Sequence, residues 1–467
     1  MAGIKITLKE TGQQSIARLW VYKPEPEEKK EPNYLIHFRR PDNYKGEFGF
    51  DWMRDEYKNI CYNYNELKQE YTPCQIQGQE YFVPWLSMFP NQENVKIALN
   101  LENIKGELSR KDIIKIPPIV GVSFEPSIIK LKDIQKKREE GKEYLVTVSC
   151  SKPLTKDICI SVFDKDNQVI GKLNIAKNDV KYYLPITIVN ILGNNLQTDD
   201  ISVSNIKSFF NQRSFQQAFI ETDIRKDNLT INVNSLLEEG ALSITIDENN
   251  IENIVANEKT LNFLSNLFSN SKGVNLFILK LNRWHFRKYE SNNQNYNNYD
   301  VYEVIDIDNK NGKLLKGYKY VCSYNEREID NSRGNYFIVL RGMVGESKVI
   351  PTKRNSCIVY NGYDNEIAMV HEISHLLGLP ENFSTALNKN YYDKLKKIEN
   401  LNTEQKEYVR DYENMSKNNY FFFRRAYTDN FMDYYEPIYY PKSPIKKSFY
   451  HWQYGIMQYE INNYIEK

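Results

Sequence analysis

His371-Glu372-Ile373-Ser374-His375 sets two imidazoles four residues apart, with a carboxylate beside the first. An α-helix turns about 100° per residue, so positions i and i+4 share one face, a turn apart. On a helix, His371 and His375 would aim ring nitrogens at one ion. Imidazole nitrogen suits zinc, and a catalytic zinc takes three protein ligands and a water. Glu372 would stand beside that water, accept its proton during attack on a carbonyl, and pass it to a leaving amine. The bland reading is an exposed helix with two unliganded histidines. Ile367, Val370, Ile373, Leu376 and Leu377 argue against it, because they give the segment a buried side. A strand precedes, and "NGYDNE" offers a turn and an N-cap.

Gly378 lies three residues past His375, where a helix would end on a left-handed residue. Glycine takes that conformation without a Cβ penalty. The chain would then reverse and bring Glu381 back toward the ion. Over these residues the sequence resembles the metzincin zinc endopeptidases, whose motif is His-Glu-x-x-His-x-x-Gly-x-x-His (or Asp). It departs at Glu381, where glutamate replaces the usual third histidine; a carboxylate is a competent zinc donor. The resemblance implies a tight turn with methionine under the zinc, and "TDNFMDYYEP" supplies Met432. In some members a tyrosine two residues past that methionine stabilises the oxyanion, and Tyr434 has this spacing. What the resemblance implies is therefore a zinc site of His371, His375 and Glu381, catalytic roles for Glu372 and Tyr434, and Met432 as the Met-turn.

Other readings stay open. Glu381 would alternatively serve as an N-cap or first-turn acid for the segment after Pro380. His451 would be the third ligand in its place, although "SFYHWQYGIMQYEI" reads more simply as an amphipathic helix packing its aromatics. Tyr434 and Tyr435 belong to a chain with 35 tyrosines and would also serve as packing.

The elements that must hold this motif differ along the chain. "KITLKE", "SIARLWVY" and "NYLIHFR" read as strands, and "YKGEFGFDWMRDEY" is a dense aromatic-acidic stretch. The paired prolines of "KIPPIVGVSFEPS" mark a boundary. "LKDIQKKREEGKE" reads as a solvated turn or short helix. "YLVTVSCS", "DICISVFD", "QVIGKLNIA" and "YYLPITIV" are evenly spaced strands with turn signals, which suggests a small sandwich. After the polar linker "GNNLQTDD", helical spacing is predicted over "VSNIKSFFNQRSFQQAFIETDI" and "IENIVANEKTLNFLSNLFS". "LTINV", "ALSITID", "VNLFILKLN", "NYFIVLRG" and "SCIVYNG" are predicted strands, the last bordering the cleft as a sheet edge. The fold class expected is multidomain: a β-rich N-terminal domain (1–115), an Ig-like β-sandwich (116–197) and an α+β metzincin-like metalloprotease domain (198–467).

Bulk properties narrow the function. Lys+Arg (62) balances Asp+Glu (61), which gives no ground for nucleic acid or an anionic membrane as partner. No apolar window approaches a membrane span, and the start has no signal-peptide run. The six cysteines form no Cys-x-x-Cys pair; Cys150 and Cys159 would face each other across a hairpin, but free buried thiols suit a reducing cytoplasm better. The expected location is the cytoplasm of the producing cell, with export by a leaderless route. The front segment with "YKGEFGFDWMR" is similar to N-terminal delivery regions of type VI secretion effectors from Bacteroidota. That likeness implies a toxin with a polypeptide substrate, secretion tube or spike proteins as partners, and an immunity protein. Two other readings are a non-catalytic component of a secretion apparatus and a housekeeping intracellular protease.

Overall fold

The computed structural model describes residues 4–7, 14–17, 33–93, 95–119, 121–194, 196, 201–268, 273–288, 300–308, 314–323, 336–343, 345–346, 355–360, 365–383, 392, 394–401, 405–406, 409, 421–434 and 441–465. The Asn/Tyr-rich stretch 291–299, whose composition predicts an exposed loop, and the residue Tyr435 lie outside them, as does most of "GNNLQTDD".

Alternating residues in the front strands must bury one face. Tyr34, Ile36 and Phe38 do so along Asn33–Arg39, as do Ile97, Leu99 and Leu101 along Lys96–Lys105. Two sheets result. One runs Val122–Glu125, Tyr144–Cys150, Lys96–Lys105, Asn33–Arg39, all antiparallel. The other runs Ile128–Lys130, Ile113–Lys115, Ile158–Phe163, Val169–Ile175, Trp85–Ser87, Gly49–Asp51. One core, with Phe38, Ile97, Ile114, Val146, Ile160 and Leu173, fills the space between them.

This corrects the boundary expected at 115/116. Strands from both sides of it share both sheets, so 33–175 is one packed unit and there is no separate sandwich over 116–197. Pro117 and Pro118 do interrupt pairing, because proline cannot donate to a ladder. They sit where the chain crosses from one sheet to the other, inside the unit. The charged stretch is a helix, Leu131–Glu139, burying only Leu131 and Ile134.

"YYLPITIV", expected in the sandwich, belongs to a second layer system. Tyr182–Gly193 is almost continuously apolar through its middle, which suits a parallel strand covered on both faces. The sheet order is Ile220–Ile231, Tyr182–Gly193, Val274–Leu279, Ser356–Tyr360, Gly345–Glu346; the first four are parallel and the last antiparallel. Its two faces follow the strand period of two. Leu276, Ile278, Cys357 and Val359 pack against the motif helix, while Phe277, Leu279, Ile358 and Tyr360 pack on the opposite side. Ser356–Tyr360 is thus not the edge: Gly345 pairs with Val359 and Glu346 with Ile358 outside it.

Two helical expectations change. Val203–Phe209 is helical and capped by Ser202, but "IETDI" opens the strand Ile220–Ile231. "IENIV" is also strand: Glu252–Ala256 pairs antiparallel with Leu242–Ile246, and only Thr260–Leu267 is helix. The Asp247 carboxylate closes the hairpin, accepting from Asn249 N and Ile251 N at 2.9 Å each. These two strands join Arg283–Lys288, Tyr336–Met343, Asp300–Asp308 and Leu314–Ser323 in a closed six-stranded barrel. Closure removes open edges. The protein is therefore β-rich, with several curled sheets and few helices. Among the described residues no helix is long and apolar enough to cross a membrane. All six cysteines are unbridged, and Cys150 and Cys159 lie in different sheets.

Candidate metal centre

The motif helix is Glu366–Leu376, started by Asn365, whose side chain accepts from Ala368 N at 3.0 Å. Its end is set by Gly378 at φ +92. Gly378 N bonds His375 O and Leu379 N bonds Ser374 O, each at 3.0 Å, so the last carbonyls are satisfied as the chain turns back. A residue with a Cβ would be strained there. The reversal returns Glu381 to the helix face that carries both histidines.

The two imidazoles meet edge to face, with Nε2 of His371 and Nε2 of His375 3.1 Å apart. His371 Nδ1 lies 2.7 Å from Phe431 O, and His375 Nδ1 lies 2.7 Å from Leu379 O. A carbonyl accepts only, so we assign the proton to Nδ1 in both rings. Each Nε2 then presents a lone pair to the other, an arrangement that needs a proton or a cation between them. Glu381 supplies the counter-charge: its Oε2 is 3.5 Å from His371 Nε2 and its Oε1 is 3.5 Å from His375 Nε2. Oε2 is buried, and no donor among the described residues hydrogen-bonds it. Two donor atoms about 2.0–2.1 Å from one tetrahedral ion stand about 3.3 Å apart. The observed separations bracket that value, so the donor set fits a divalent cation.

The charges agree with the distances. Burial lowers the His371 imidazole, but the Glu381 carboxylate beside it outweighs burial and raises it to about 9. Burial pushes the Glu381 carboxyl up, yet His371 and His375 hold it far below the usual carboxylate range. Burial and then Glu381 push the Tyr434 phenol well above its ordinary value, so it stays protonated near neutrality.

The segment opposite the helix is folded around one carboxylate. Asp433 accepts from Ala426 N (2.7 Å), Thr428 N (2.8 Å), Thr428 Oγ1 (2.8 Å) and Tyr434 N (2.9 Å). This fixes Phe431 O on His371. Met432 is fully buried and shares the apolar cluster with Met369, Val370 and Ile373 of the helix. Tyr434 donates to Glu381 Oε1 at 2.8 Å, and its ring stands 5.6 Å from that of His371. Arg425 lies 4.6 Å over the same tyrosine ring. Glu372 is nearly buried, and its charge helps to raise both His371 and the Cys357 thiol.

His371, His375, Glu381 and Tyr434 therefore come together, with Glu372 and Met432 beside them. His451 does not join: its Nδ1 is 3.0 Å from Asp51 Oδ2 and its ring stacks on Trp85 at 4.8 Å. Asp433, Asn382 and the Phe431 carbonyl were missed in the sequence. Asn382 bonds Met432 O through its N–H and Thr428 Oγ1 through its side chain, tying Glu381's neighbour to the turn. The only local signal was Asp433 between Met432 and Tyr434.

No family model matches this chain. No curated protein matches it either. Among solved structures, the Plasmodium falciparum protein Pf12p aligns over 71% of this chain and 88% of its own at 10% identity, with a TM-score of 0.06, too low to carry an argument. Two imidazoles and one carboxylate form the donor set, with the protonated Tyr434 phenol hydrogen-bonded to that carboxylate.

Proposed function

We propose that this chain is a zinc-dependent endopeptidase of the metzincin kind, with His371, His375 and Glu381 holding the metal. One observation carries the reading: two imidazole Nε2 atoms 3.1 Å apart face a buried carboxylate oxygen that no donor among the described residues hydrogen-bonds. Bound zinc would supply a Lewis acid and make an attacking water acidic near neutral pH. The protein groups do the rest. Phe431 O and Leu379 O keep both imidazoles in the Nδ1–H tautomer, which fixes ring orientation. Glu372 takes the proton of the attacking water on its carboxylate and delivers it to the leaving amine. Tyr434 keeps its proton and donates it, as a hydrogen bond, to the developing oxyanion. The antiparallel edge strand Gly345–Glu346 borders the sheet on the side where an extended peptide would be added. Delivery as an exported effector rests on the front-segment likeness alone.

The test is direct. Purified full-length protein should hold about one zinc per chain and cleave an unfolded polypeptide. A chelator should stop cleavage, and added zinc should restore it. Absence of bound zinc together with absence of cleavage would refute the reading.

Tyr434→Phe separates the phenol's two contacts. Zinc content should be kept, because Glu381 retains both histidine partners. Turnover should fall about 10²-fold in kcat with little change in KM, the cost of one oxyanion donor. Unchanged kcat would return Tyr434 to a packing role against Phe383, whose ring is 4.7 Å away.

A further inference from the structure

The stretch Tyr44–Tyr57 reaches out of the two-sheet unit and into the metal site's supporting turn. Arg54 Nη2 lies 2.6 Å from Asp429 Oδ1, and Arg40 Nη1 lies 2.7 Å from Asp429 Oδ2. All three side chains are at most 10% exposed. Both guanidiniums lie over the Trp52 ring, Arg54 at 4.3 Å and Arg40 at 4.9 Å from its centre. Asp429 is two residues before Phe431, whose carbonyl holds His371 Nδ1. Its own carbonyl accepts from Lys447 N and Ser448 N, and Ser448 O accepts from Phe431 N at 2.9 Å. A continuous chain of bonds therefore runs from Arg54 to the His371 ring.

Other contacts make the join wide. Gly46 O accepts from the Gln216 amide at 2.7 Å, and a Cβ at Gly46 would stand 2.2 Å from Arg213 O, so only glycine permits the approach. Asp51 Oδ2 accepts from both N and Nδ1 of His451 at 3.0 Å. Met53, Tyr57 and Tyr71 share a core with Phe421, Phe423 and Tyr450. A buried carboxylate held by two buried arginines has no low-cost alternative position, because moving away strands charges out of water.

We propose that Arg40 and Arg54 are positioning residues for the metal site, acting through Asp429, and that the front unit is a working part of that site. The "YKGEFGFDWMR" stretch is on this view the joint that seats the Met432 turn under the motif helix. The inference rests on the zinc reading above.

The test uses full-length protein and measures zinc affinity by competition with a chromophoric chelator, with cobalt(II) absorption as a second readout. Arg54→Met should weaken zinc binding about tenfold, at the low end of what ligand-orienting contacts cost. It should also alter the cobalt spectrum. Arg54→Lys should recover most of the affinity. Asp429→Asn, which keeps the side-chain shape, should weaken zinc in the same direction and serves if Arg54→Met fails to fold. Val162→Ala, a cavity in the two-sheet core far along the chain from the joint, controls for mere loss of stability and should leave zinc affinity within about twofold. Wild-type affinity in folded Arg54→Met or Asp429→Asn would overturn the proposal, as would an equal loss in Val162→Ala. A wild type that binds no zinc would overturn the zinc reading and this inference together, a result distinct from tight binding that the joint variants leave unmoved.

Discussion

Glu372→Gln should keep its zinc and lose about 10²–10⁴-fold in kcat, the range that one general base supplies. The amide has the carboxylate's shape, so helix packing and the His371 and His375 positions stay as they are. What it loses is the capacity to take a proton. Glu372 sits directly after His371 on a helix whose far side is locked into the sheet by Met369, Val370 and Ile373. The same rigid helix therefore carries Glu372 and both histidines. The effect should fall on kcat and kcat/KM together, since proton transfer occurs only in the transition state. Single-turnover assays at fixed zinc occupancy would check it. Turnover at the wild-type rate would show that the water is activated elsewhere.

The site was more legible than the fold around it, for a physical reason. His371, Glu372, His375, Gly378 and Glu381 lie within eleven residues, and helix period plus one left-handed glycine dictate where each points. Phe431's role belongs to a backbone carbonyl, which every residue has, so no side-chain pattern announces it. Asp429 is 389 residues from Arg40 and 375 from Arg54. No local period reports a partner at that distance. Strand existence was readable from alternation in segments such as Tyr144–Cys150 and Ile158–Phe163, but strand partners were not. Sheet membership is decided by long-range closure, so no local pattern announces the barrel, and the paired prolines Pro117-Pro118 read as a domain boundary although they lie inside one unit. Glu252–Ala256 was misread because Ile254, Val255 and Ala256 are apolar at spacings that helix and strand both allow.

Glu381→Ala should weaken zinc binding more than about 10²-fold, since contacts that merely orient ligands already cost 10–100-fold. His451 offers no rescue, being held by Asp51 at 3.0 Å against Trp85. The same substitution has a signature without metal. In the metal-free protein His371 is raised from 6.5 to about 9, chiefly by Glu381 acting against burial. A raised folded value means that the pair's contribution to stability is complete below about pH 6.5 and disappears as pH rises through about 9. Glu381 is depressed, so its share is present above its ordinary value of 4.5 and is lost in stronger acid. The melting temperature gap between metal-free wild type and Glu381→Ala should therefore be widest near pH 5–6 and close above pH 9. Because wild-type His371 holds its extra proton at pH 7, zinc uptake there should release about one proton, measured by calorimetry in buffers of different ionisation enthalpy. In Glu381→Ala burial acts on His371 without its main opposing charge, so the ring is neutral at pH 7 and that proton release should vanish. A variant that still releases the proton would show that Glu381 is not the charge that holds it.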